Sequence, residues 1–193
     1  MSSTNRSNAR DSHVSDYYIT PKQDIIDFMN LFLENHPELE TSDLHVLDPC
    51  AWWDTNNLAA YPNALQEFWF ENIISMDIRE DSRATYRGYD FLSSSFVDRF
   101  DITITNPPFS HALPIIEKAL DITRDDWYVI MLLRLNFFGS KARREFFRNH
   151  MPVECYIHHK RISFANGATD SIEYAHFVWR PGHNPDFTKT YLI

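Results

Sequence analysis

A strand that ends in an amide side chain and two prolines is the part of this sequence best suited to chemistry. The β-type run at 100–105 is followed directly by Asn106-Pro107-Pro108-Phe109. Proline lacks a backbone N–H, so the turn offers carbonyl acceptors, and the first proline holds Asn106 in an extended conformation. The Asn106 carboxamide oxygen and the Pro107 carbonyl could each accept one hydrogen of an NH₂ group. The Phe109 ring could stack on the ring that carries this amine.

The competing interpretation of this segment is a tight turn between a strand and a helix. Ser110 would then cap the helix, and Pro114 would lie in its first turn, where a missing N–H is harmless. This interpretation gives no reason for an amide and an aromatic ring on either side of the proline pair.

The elements around the turn alternate between strands and helices. Strands are predicted at 44–48, 73–77, 86–89, 101–105, 127–133, 153–158 and 172–179. Helices are predicted at 21–35, from Pro62, at 111–120 and after Ser140. Thr20 is expected to cap the first helix, and Trp69 is expected to lie on the apolar face of the second. This order predicts an α/β fold with a three-layer, mostly parallel sheet and a terminal antiparallel β-hairpin. Ligands of such sheets bind at the carboxyl ends of the strands.

Length and composition indicate one ordinary domain. The chain has 193 residues, of which 44% are hydrophobic, so residues 17–193 are expected to form a single domain without a separate target-recognition domain. The polar residues 1–16 are expected to be a disordered tail. The only cysteines, Cys50 and Cys155, imply no disulfide framework, which fits a reducing, cytoplasmic location. No apolar run is long enough to span a bilayer, and no signal-peptide core is present.

Charge is unevenly distributed along the chain. The formal net charge is −9, which is unfavourable for binding nucleic acid as a whole. The stretch 141–161 nevertheless carries a balance of +4, from six basic and two acidic residues. A solvated helix face would explain Lys141, Arg143 and Arg144, but a phosphate-contacting surface next to the proline turn would explain them equally well.

Several further motifs accompany the proline turn in a fixed order. They are Tyr18-Ile19-Thr20-Pro21, Val46-Leu47-Asp48-Pro49-Cys50, Asp77, Asp90-Phe91-Leu92 and Arg161-Ile162-Ser163-Phe164. Together they resemble the S-adenosylmethionine-dependent methyltransferases that modify the amine of adenine in DNA, and the compact phage and plasmid enzymes most of all. The resemblance runs from about residue 17 to about residue 180.

The resemblance implies a Rossmann-like methyltransferase fold and roles for individual residues. The catalytic tetrapeptide would be Asn106, Pro107, Pro108 and Phe109. The residues that would bind S-adenosylmethionine are Tyr18, Thr20, Asp48, Pro49, Cys50, Asp77, Asp90, Phe91 and Asn106. The residues that would bind nucleic acid are Lys141, Arg143, Arg144, Arg161 and Phe164. The implied reaction is direct methyl transfer to a flipped adenine, without a metal.

One segment departs from the family pattern. Glycines usually follow the Asp-Pro of the cofactor loop, whereas this chain has Trp52 and Trp53 there and no glycine before Gly88. Two adjacent indoles could obstruct the cofactor, or they could face its sulfonium group through a cation–π contact. A catalytically silent methyltransferase-like domain that binds nucleic acid or a protein partner is therefore an alternative function.

Substrate and metal are less constrained. The same turn would serve a methyltransferase acting on adenine in RNA or on a glutamine amide in protein, since all three substrates present a planar NH₂. His158 and His159 suggest a metal site, but neighbours along a strand point to opposite faces and no other ligands are spaced to join them. No metal is expected.

Overall fold

An eight-stranded sheet forms the centre of the computed structural model, which describes residues 19–53, 58–95, 99–164 and 172–193. The strands are β1 His45–Asp48, β2 Asn72–Asp77, β3 Tyr86–Arg87, β4 Phe100–Thr105, β5 Thr123–Arg134, β6 Glu154–Ile157, β7 Tyr174–Trp179 and β8 Lys189–Leu192. The helices are α1 Lys22–Asn35, α2 Ala60–Leu65, α3 Ala112–Ile122 and α4 Arg144–Asn149. The predicted tail at 1–16 lies outside the described residues.

The strand order is β3-β2-β1-β4-β5-β7-β6-β8. Strands β1 to β5 pair in parallel, and β7 runs antiparallel between β5 and β6. This confirms the predicted α/β fold with a mostly parallel sheet and an antiparallel hairpin. The added strand β8, which pairs in parallel with β6, was not predicted.

Helices cover both faces of the sheet. On one face Phe28 and Phe32 of α1 pack with Ile102 and Ile104 of β4, together with α2. On the other face α3 and α4 pack against every second residue of β5, such as Val129 and Met131. A parallel strand buried on both faces needs apolar side chains at successive positions, which explains the continuous apolar run of β5. Three layers result, as predicted.

Two local predictions about helices were wrong. Thr20 does not cap α1: the N-cap position is Pro21, and no side chain bonds there. Trp69 does not lie on an apolar helix face, because α2 begins at Ala60 and ends at Leu65, and a single turn of 3₁₀-helix, Gln66–Phe68, follows. Trp69 ends that turn in a left-handed conformation, φ 64°, and is 76% exposed.

The capping role that the competing interpretation gave Ser110 at the start of α3 is also wrong. Its N-cap is His111, which makes no side-chain capping bond, and Ser110 instead hydrogen-bonds the His111 ring. Pro114 does lie in the first turn of α3, as expected. No helix among the described residues is long and apolar enough to cross a membrane.

Candidate active site

The carboxyl ends of three parallel strands place acid and amide side chains at one edge of the sheet. Strand β1 ends at Asp48, β2 ends at Asp77, and β4 ends at Thr105, immediately before Asn106. The register pairs Asp48 with Ser75 of β2 and Leu47 with Thr103 of β4, so the three ends lie side by side. Residues that are far apart in sequence therefore meet at the edge where the fold class places ligands.

Asp48 is the most buried acid of this edge, with 1% of its surface exposed. Its Oδ1 accepts hydrogen bonds from Thr105 Oγ1 at 2.6 Å and from the Cys50 backbone N–H at 3.2 Å. Burial raises the pKa of Asp48 to about 7, although both hydrogen bonds oppose this shift, and the nearby Asp77 carboxylate adds to it. Asp48 is thus a carboxyl group whose charge depends on its surroundings near neutral pH.

Asn106 is held against the segment before α1. Its Nδ2 donates to Thr20 Oγ1 at 3.1 Å, and Thr20 is buried. The contact fixes the amide with its NH₂ group towards Thr20. Pro107 is buried beside it, and the Pro108 carbonyl accepts from the His111 N–H at 2.9 Å, which stabilises the turn into the short helix that precedes α3.

The ring of Phe109 is part of an aromatic and cationic stack. The Arg134 guanidinium lies 4.7 Å from the ring centre, and the Tyr174 ring centre is 5.8 Å away at 38°. Arg134 ends β5 and its Nε lies 3.4 Å from the Tyr174 hydroxyl. Sequence reasoning missed Arg134, although its place at the end of a predicted strand beside the proline turn was a usable signal.

Acidic groups converge on Cys50. Cys50 is partly exposed, and desolvation of its thiol, followed by the negative charges of Asp48, Asp77 and Asp90, raises its pKa strongly. A desolvated thiol of this kind is a poor nucleophile. The negative charges of Asp48, Asp77 and Asp90 thus act together on this corner of the sheet edge, where they would favour a cation.

Asp90 and Phe91 lie next to the end of β2. The Tyr89 backbone N–H donates to the Asp77 carbonyl at 3.1 Å, which brings the turn alongside. Asp90 is exposed and its Oδ1 accepts from the Leu92 N–H at 3.0 Å, whereas Phe91 is buried. The Lys118 ammonium of α3 contacts the Phe91 carbonyl and thereby stabilises this turn.

The loop after β1 is tied to the loop after β2 through Arg79. The Arg79 guanidinium lies 4.7 Å from the centre of a Trp52 ring, and its Nη2 is 3.3 Å from the Trp53 carbonyl. Asp77 Oδ1 accepts from the Arg79 N–H at 2.9 Å, while its Oδ2 lies 3.6 Å from Arg79 Nε. Arg79 therefore covers Asp77, and the cation–π contact expected of an indole here is made to this arginine.

The Trp53 indole N–H, Asp77 Oδ2 and Arg79 Nε at this loop are buried and make no hydrogen bond within the described residues. Asp77 Oδ2 and Arg79 Nε face each other as an ion pair at 3.6 Å, whereas the Trp53 N–H has no such partner there. A buried donor without a partner is costly, so it marks a place where a polar ligand would be bound favourably.

Some of the residues predicted to bind nucleic acid are exposed, and others contact neighbouring protein groups. Lys141 and Arg144 are exposed and line an open groove of about 500 Å³ together with Phe138, Phe147 and Arg148. Arg143 is half-buried; its guanidinium lies 4.2 Å from the Phe137 ring centre and donates to the Phe137 carbonyl at 2.7 Å.

The last two residues predicted to bind nucleic acid lie between β6 and β7 in the chain. Arg161 is exposed. Phe164 is only 1% exposed and packs edge-on against Tyr174 with ring centres 5.1 Å apart. Tyr18 lies outside the described residues. No group of three or more His, Cys, Asp or Glu residues within the described ranges is arranged to hold a metal ion.

No protein-family model matches this sequence, and no curated protein matches it. The likeness to solved structures is that of fold. A candidate class I S-adenosylmethionine-dependent methyltransferase of Listeria monocytogenes superposes with a TM-score of 0.65 at 15% identity, covering 93% of this chain and 67% of that one.

Two restriction-system proteins share the fold as well. The EcoKI M protein of a type I restriction enzyme gives a TM-score of 0.57 at 14% identity, over 92% of this chain and 47% of its own. The type IIG restriction endonuclease BpuSI gives 0.62 at 13% identity, over 91% of this chain and 27% of its own. This chain thus has the Rossmann-like methyltransferase fold and spans less than half the length of either restriction protein.

Proposed function

We propose that this chain transfers a methyl group from S-adenosylmethionine to the exocyclic amine of adenine in DNA. The observation that carries the proposal is the contact of Asn106 Nδ2 with Thr20 Oγ1 at 3.1 Å, at the end of a strand adjacent to Asp48. It unites three motifs that are far apart in sequence at the edge of a methyltransferase fold. A fold alone does not specify chemistry, so the site must support the proposal.

The described residues fit a cationic nucleoside cofactor. Asp77 Oδ2 is a buried acceptor that ribose hydroxyls would reach by displacing Arg79, and the Trp53 N–H is a buried donor. The carboxylates around Cys50 suit a positive charge. S-adenosylmethionine, when bound, supplies a methyl group already activated by positive sulfur. Asp48, Pro49, Cys50, Asp90 and Phe91 would form the walls of its site together with Thr20, and the role proposed for Tyr18 rests on the sequence motif alone.

Asn106 and Pro107 would activate the acceptor amine. An adenine amine is a weak nucleophile because its lone pair is delocalised into the ring. Two acceptors, the Asn106 carboxamide oxygen and the Pro107 carbonyl, would each hold one hydrogen and favour a lone pair directed out of the ring plane. The rest of the acceleration would come from alignment and a preorganised electrostatic environment.

A base in a duplex cannot reach this edge while stacked, so it would be flipped out. Phe109 would stack on it, and Arg134 beside Phe109 would meet the nucleotide's phosphate. Lys141 and Arg144 would contact the DNA backbone along their groove, and Arg161 is proposed to bind DNA as well. Phe164 is buried behind Tyr174, so its contribution would be to support this aromatic stack.

The positive groove favours nucleic acid over a glutamine amide in protein, while RNA and DNA adenine remain alternatives with the same amine chemistry. The silent-domain alternative has a specific observation in its favour, since Arg79 already covers Asp77 and stacks on Trp52. Titration calorimetry with S-adenosylmethionine separates it: heat of binding supports the enzyme, and its absence supports the silent domain.

The test of the proposal is detection of methylated adenine in DNA from cells that express this chain. Sequencing of that DNA would report activity, substrate and target site together. Cells that express Asn106→Ala should lack the modification, and cells that express Asn30→Ala, a change on the exposed face of α1, should retain it. If the DNA of the wild-type culture is unmodified while adenine in RNA or glutamine in protein is methylated, then RNA or protein, rather than DNA, is the substrate.

A further inference from the structure

The open groove of about 500 Å³ beside α4, the basic groove, combines cationic and aromatic side chains. Its lining includes Lys141, Arg144, Arg148, Phe138, Phe147 and Met151. Phe147 and Arg148 follow Arg144 at the helical spacings that place side chains next to one another, so α4 presents all three on one side. Phosphate contacts would explain the cations of the groove, but they give its aromatic rings no role.

The basic groove is positively charged although the chain as a whole is acidic. Among the described residues that line it there is no Asp or Glu, whereas the whole chain carries a formal charge of −9. The one acid of α4, Glu145, lies 3.5 Å from Arg148 Nη1 and offsets a single charge. Lys141 and Arg144 therefore remain to attract an anion, and charge complementarity favours an anionic occupant.

Phe138 provides a fixed aromatic surface in the basic groove. Its ring centre lies 4.8 Å from that of Phe177 and 5.2 Å from that of Phe147. Phe177 belongs to β7 and is fully buried, so the Phe138 ring rests on the core of the sheet, yet Phe138 itself is 37% exposed. A ring held in place by such packing can receive a planar partner at little cost in side-chain entropy.

The basic groove begins close to the proposed catalytic edge. Arg134 ends β5, and its guanidinium lies 4.7 Å from the centre of the Phe109 ring. The next residues, Leu135–Gly139, form a 3₁₀-helix. Such a helix rises about 2 Å per residue, so the backbone at Phe138 is about 8 Å from that at Arg134. Because nucleotides follow one another about every 3.4 Å along a duplex strand, a strand that passes Phe109 reaches Phe138 within a few nucleotides.

We propose that the basic groove binds an unpaired nucleotide that flanks the target adenine, with its base stacked on Phe138 and its phosphate at Lys141 and Arg144. A basic groove with an aromatic platform is the arrangement by which proteins hold single strands. A base within a duplex is covered on both faces by its neighbours, so Phe138 adds affinity only for a strand that is unpaired there. The inference rests on the proposed function for the target adenine, and it deepens that function by making a single strand the preferred substrate.

Fluorescence anisotropy in the absence of S-adenosylmethionine tests the inference. The probe is a labelled, mixed-sequence oligodeoxynucleotide that contains adenine, used as a single strand and also annealed to its complement. We expect the single strand to bind more tightly. Phe138→Ala should weaken its binding by about five- to a hundredfold, the equivalent of one base stacked on an aromatic ring, while the affinity for the duplex changes by less than about twofold. Equal losses with both probes, or no loss with the single strand, would overturn the inference.

Two further variants of Phe138 separate stacking from packing. Phe138→Leu keeps an apolar contact with Phe177 but has no aromatic face, so it should lose affinity for the single strand as Phe138→Ala does. Phe138→Trp should retain that affinity. A Phe138→Leu protein that binds the single strand like wild type would make the role of the ring structural. The matched control is Trp69→Ala, which removes a 76% exposed aromatic ring that follows α2, on the other face of the sheet. Both affinities should be unchanged in this control.

Gly139 allows the basic groove to be filled while Phe138 stays intact. Gly139 lines the groove, a Cβ atom at this residue would meet no protein atom within 4 Å, and its φ is not among the positive values. Gly139→Leu should therefore fold like wild type and weaken binding of the single strand by at least about fivefold, because the added side chain excludes the base. Wild-type affinity in the folded Gly139→Leu protein would place the nucleotide elsewhere.

Photo-crosslinking locates the bound base directly. The single-stranded probe carries iodouracil in place of the thymines beside its adenine, and mass spectrometry identifies the crosslinked peptide. We expect the peptide that contains Phe138; crosslinks confined to other segments would contradict the inference. If an acidic, leucine-rich peptide displaces the probe at a lower concentration than the unlabelled single strand does, the groove is a docking site for protein instead.

These outcomes are distinct from a failure of the proposed function. A protein that binds the single strand through Phe138 but transfers no methyl group to nucleic acid would overturn the proposed function alone. A protein that methylates adenine in DNA but binds the single strand no more tightly than the duplex would overturn this inference alone.

Discussion

Thr105 and Asp48 are joined across strands β4 and β1 by a hydrogen bond of 2.6 Å from Thr105 Oγ1 to Asp48 Oδ1. The bond ties the strand that precedes Asn106 to the strand that precedes the loop beginning at Pro49. It also partly compensates the burial of Asp48, whose pKa is nevertheless about 7. The position of Asn106, which follows Thr105, and the charge of Asp48 are therefore coupled through this hydrogen bond.

The first prediction concerns the pH dependence of cofactor binding. A bound cation favours the ionised form of Asp48, so the affinity for S-adenosylmethionine should rise with pH below the Asp48 pKa of about 7, by up to about tenfold per pH unit. Calorimetry at several pH values measures this slope. Asp48→Asn keeps an acceptor for Thr105 and should abolish the slope; an unchanged slope in that variant would exclude Asp48 as its origin.

The same group affects the stability of the free protein in the opposite sense. Its folded pKa of about 7 lies above the ordinary 3.8, so its contribution is complete below pH 3.8 and is lost as pH rises through about 7. Wild type should therefore lose stability relative to Asp48→Asn over this range.

The second prediction concerns Arg79, which in the proposed site would compete with a ribose for Asp77. Arg79→Met should tighten binding of S-adenosylmethionine by about three- to tenfold, while lowering the free energy of unfolding by about 1–3 kcal/mol, because a buried carboxylate loses its partner. Calorimetry and urea unfolding measure the two effects. Arg83→Met is the matched control, since this exposed arginine contacts Trp53 only through its backbone N–H. Weaker binding in Arg79→Met would mean that Arg79 itself holds the cofactor.

The third prediction concerns the basic groove. The double variant Lys141→Ala, Arg144→Ala should make the dependence of log K for DNA on log salt less steep by about 1.8, since each phosphate contact contributes about 0.9. The KM for DNA should rise while kcat stays constant. The control Arg99→Ala, Lys189→Ala removes two exposed charges at the opposite edge of the sheet, before β4 and at the start of β8. Equal slopes for the two double variants would remove the groove from the interface.

The fourth prediction concerns acid stability. Burial alone would raise the pKa of Glu154, but the hydrogen bond and charge of His36 and the bond from Tyr156 outweigh it and lower the pKa. A lowered pKa stabilises the fold above the ordinary 4.5, and this contribution is lost as pH falls through the folded pKa. Glu154→Gln should cost about 1–3 kcal/mol at neutral pH, and the cost should shrink below pH 4.5. Urea unfolding curves that stay equally far apart at both pH values would contradict this.

The architecture, and the meeting of Asp48, Asp77 and Asn106 at one edge of the sheet, were predictable because they depend on local patterns. Alternating strands and helices indicated the sheet, and parallel topology then requires Asp48, Asp77 and Asn106 to share an edge. The strand β8 was missed because its four residues have only one partly buried side chain, Tyr191, and therefore no apolar pattern. The left-handed Trp69 was missed because a bulky residue is uncommon in that conformation.

The contact between His158 and His176 could not be predicted because it depends on strand register. His176 and His158 meet because β6 and β7 pair Tyr156 with His176, which brings the residue after β6 within reach. Register is a property of the packed sheet, and a shift of one residue would move His176 to the other face. The stack of Arg134 on Phe109 likewise requires the relative position of β4 and β5.

The most direct test of the central claim is transfer of radiolabelled methyl groups from S-adenosylmethionine to duplex DNA by the purified chain, with digestion to nucleosides to identify the product. The account predicts label in N6-methyladenine for wild type and for Asn30→Ala. Asn106→Ala should reduce the label by at least about a hundredfold, the scale of losing one preorganised electrostatic group, while retaining the wild-type fold. Methylation of adenine by Asn106→Ala at the wild-type rate would contradict the account.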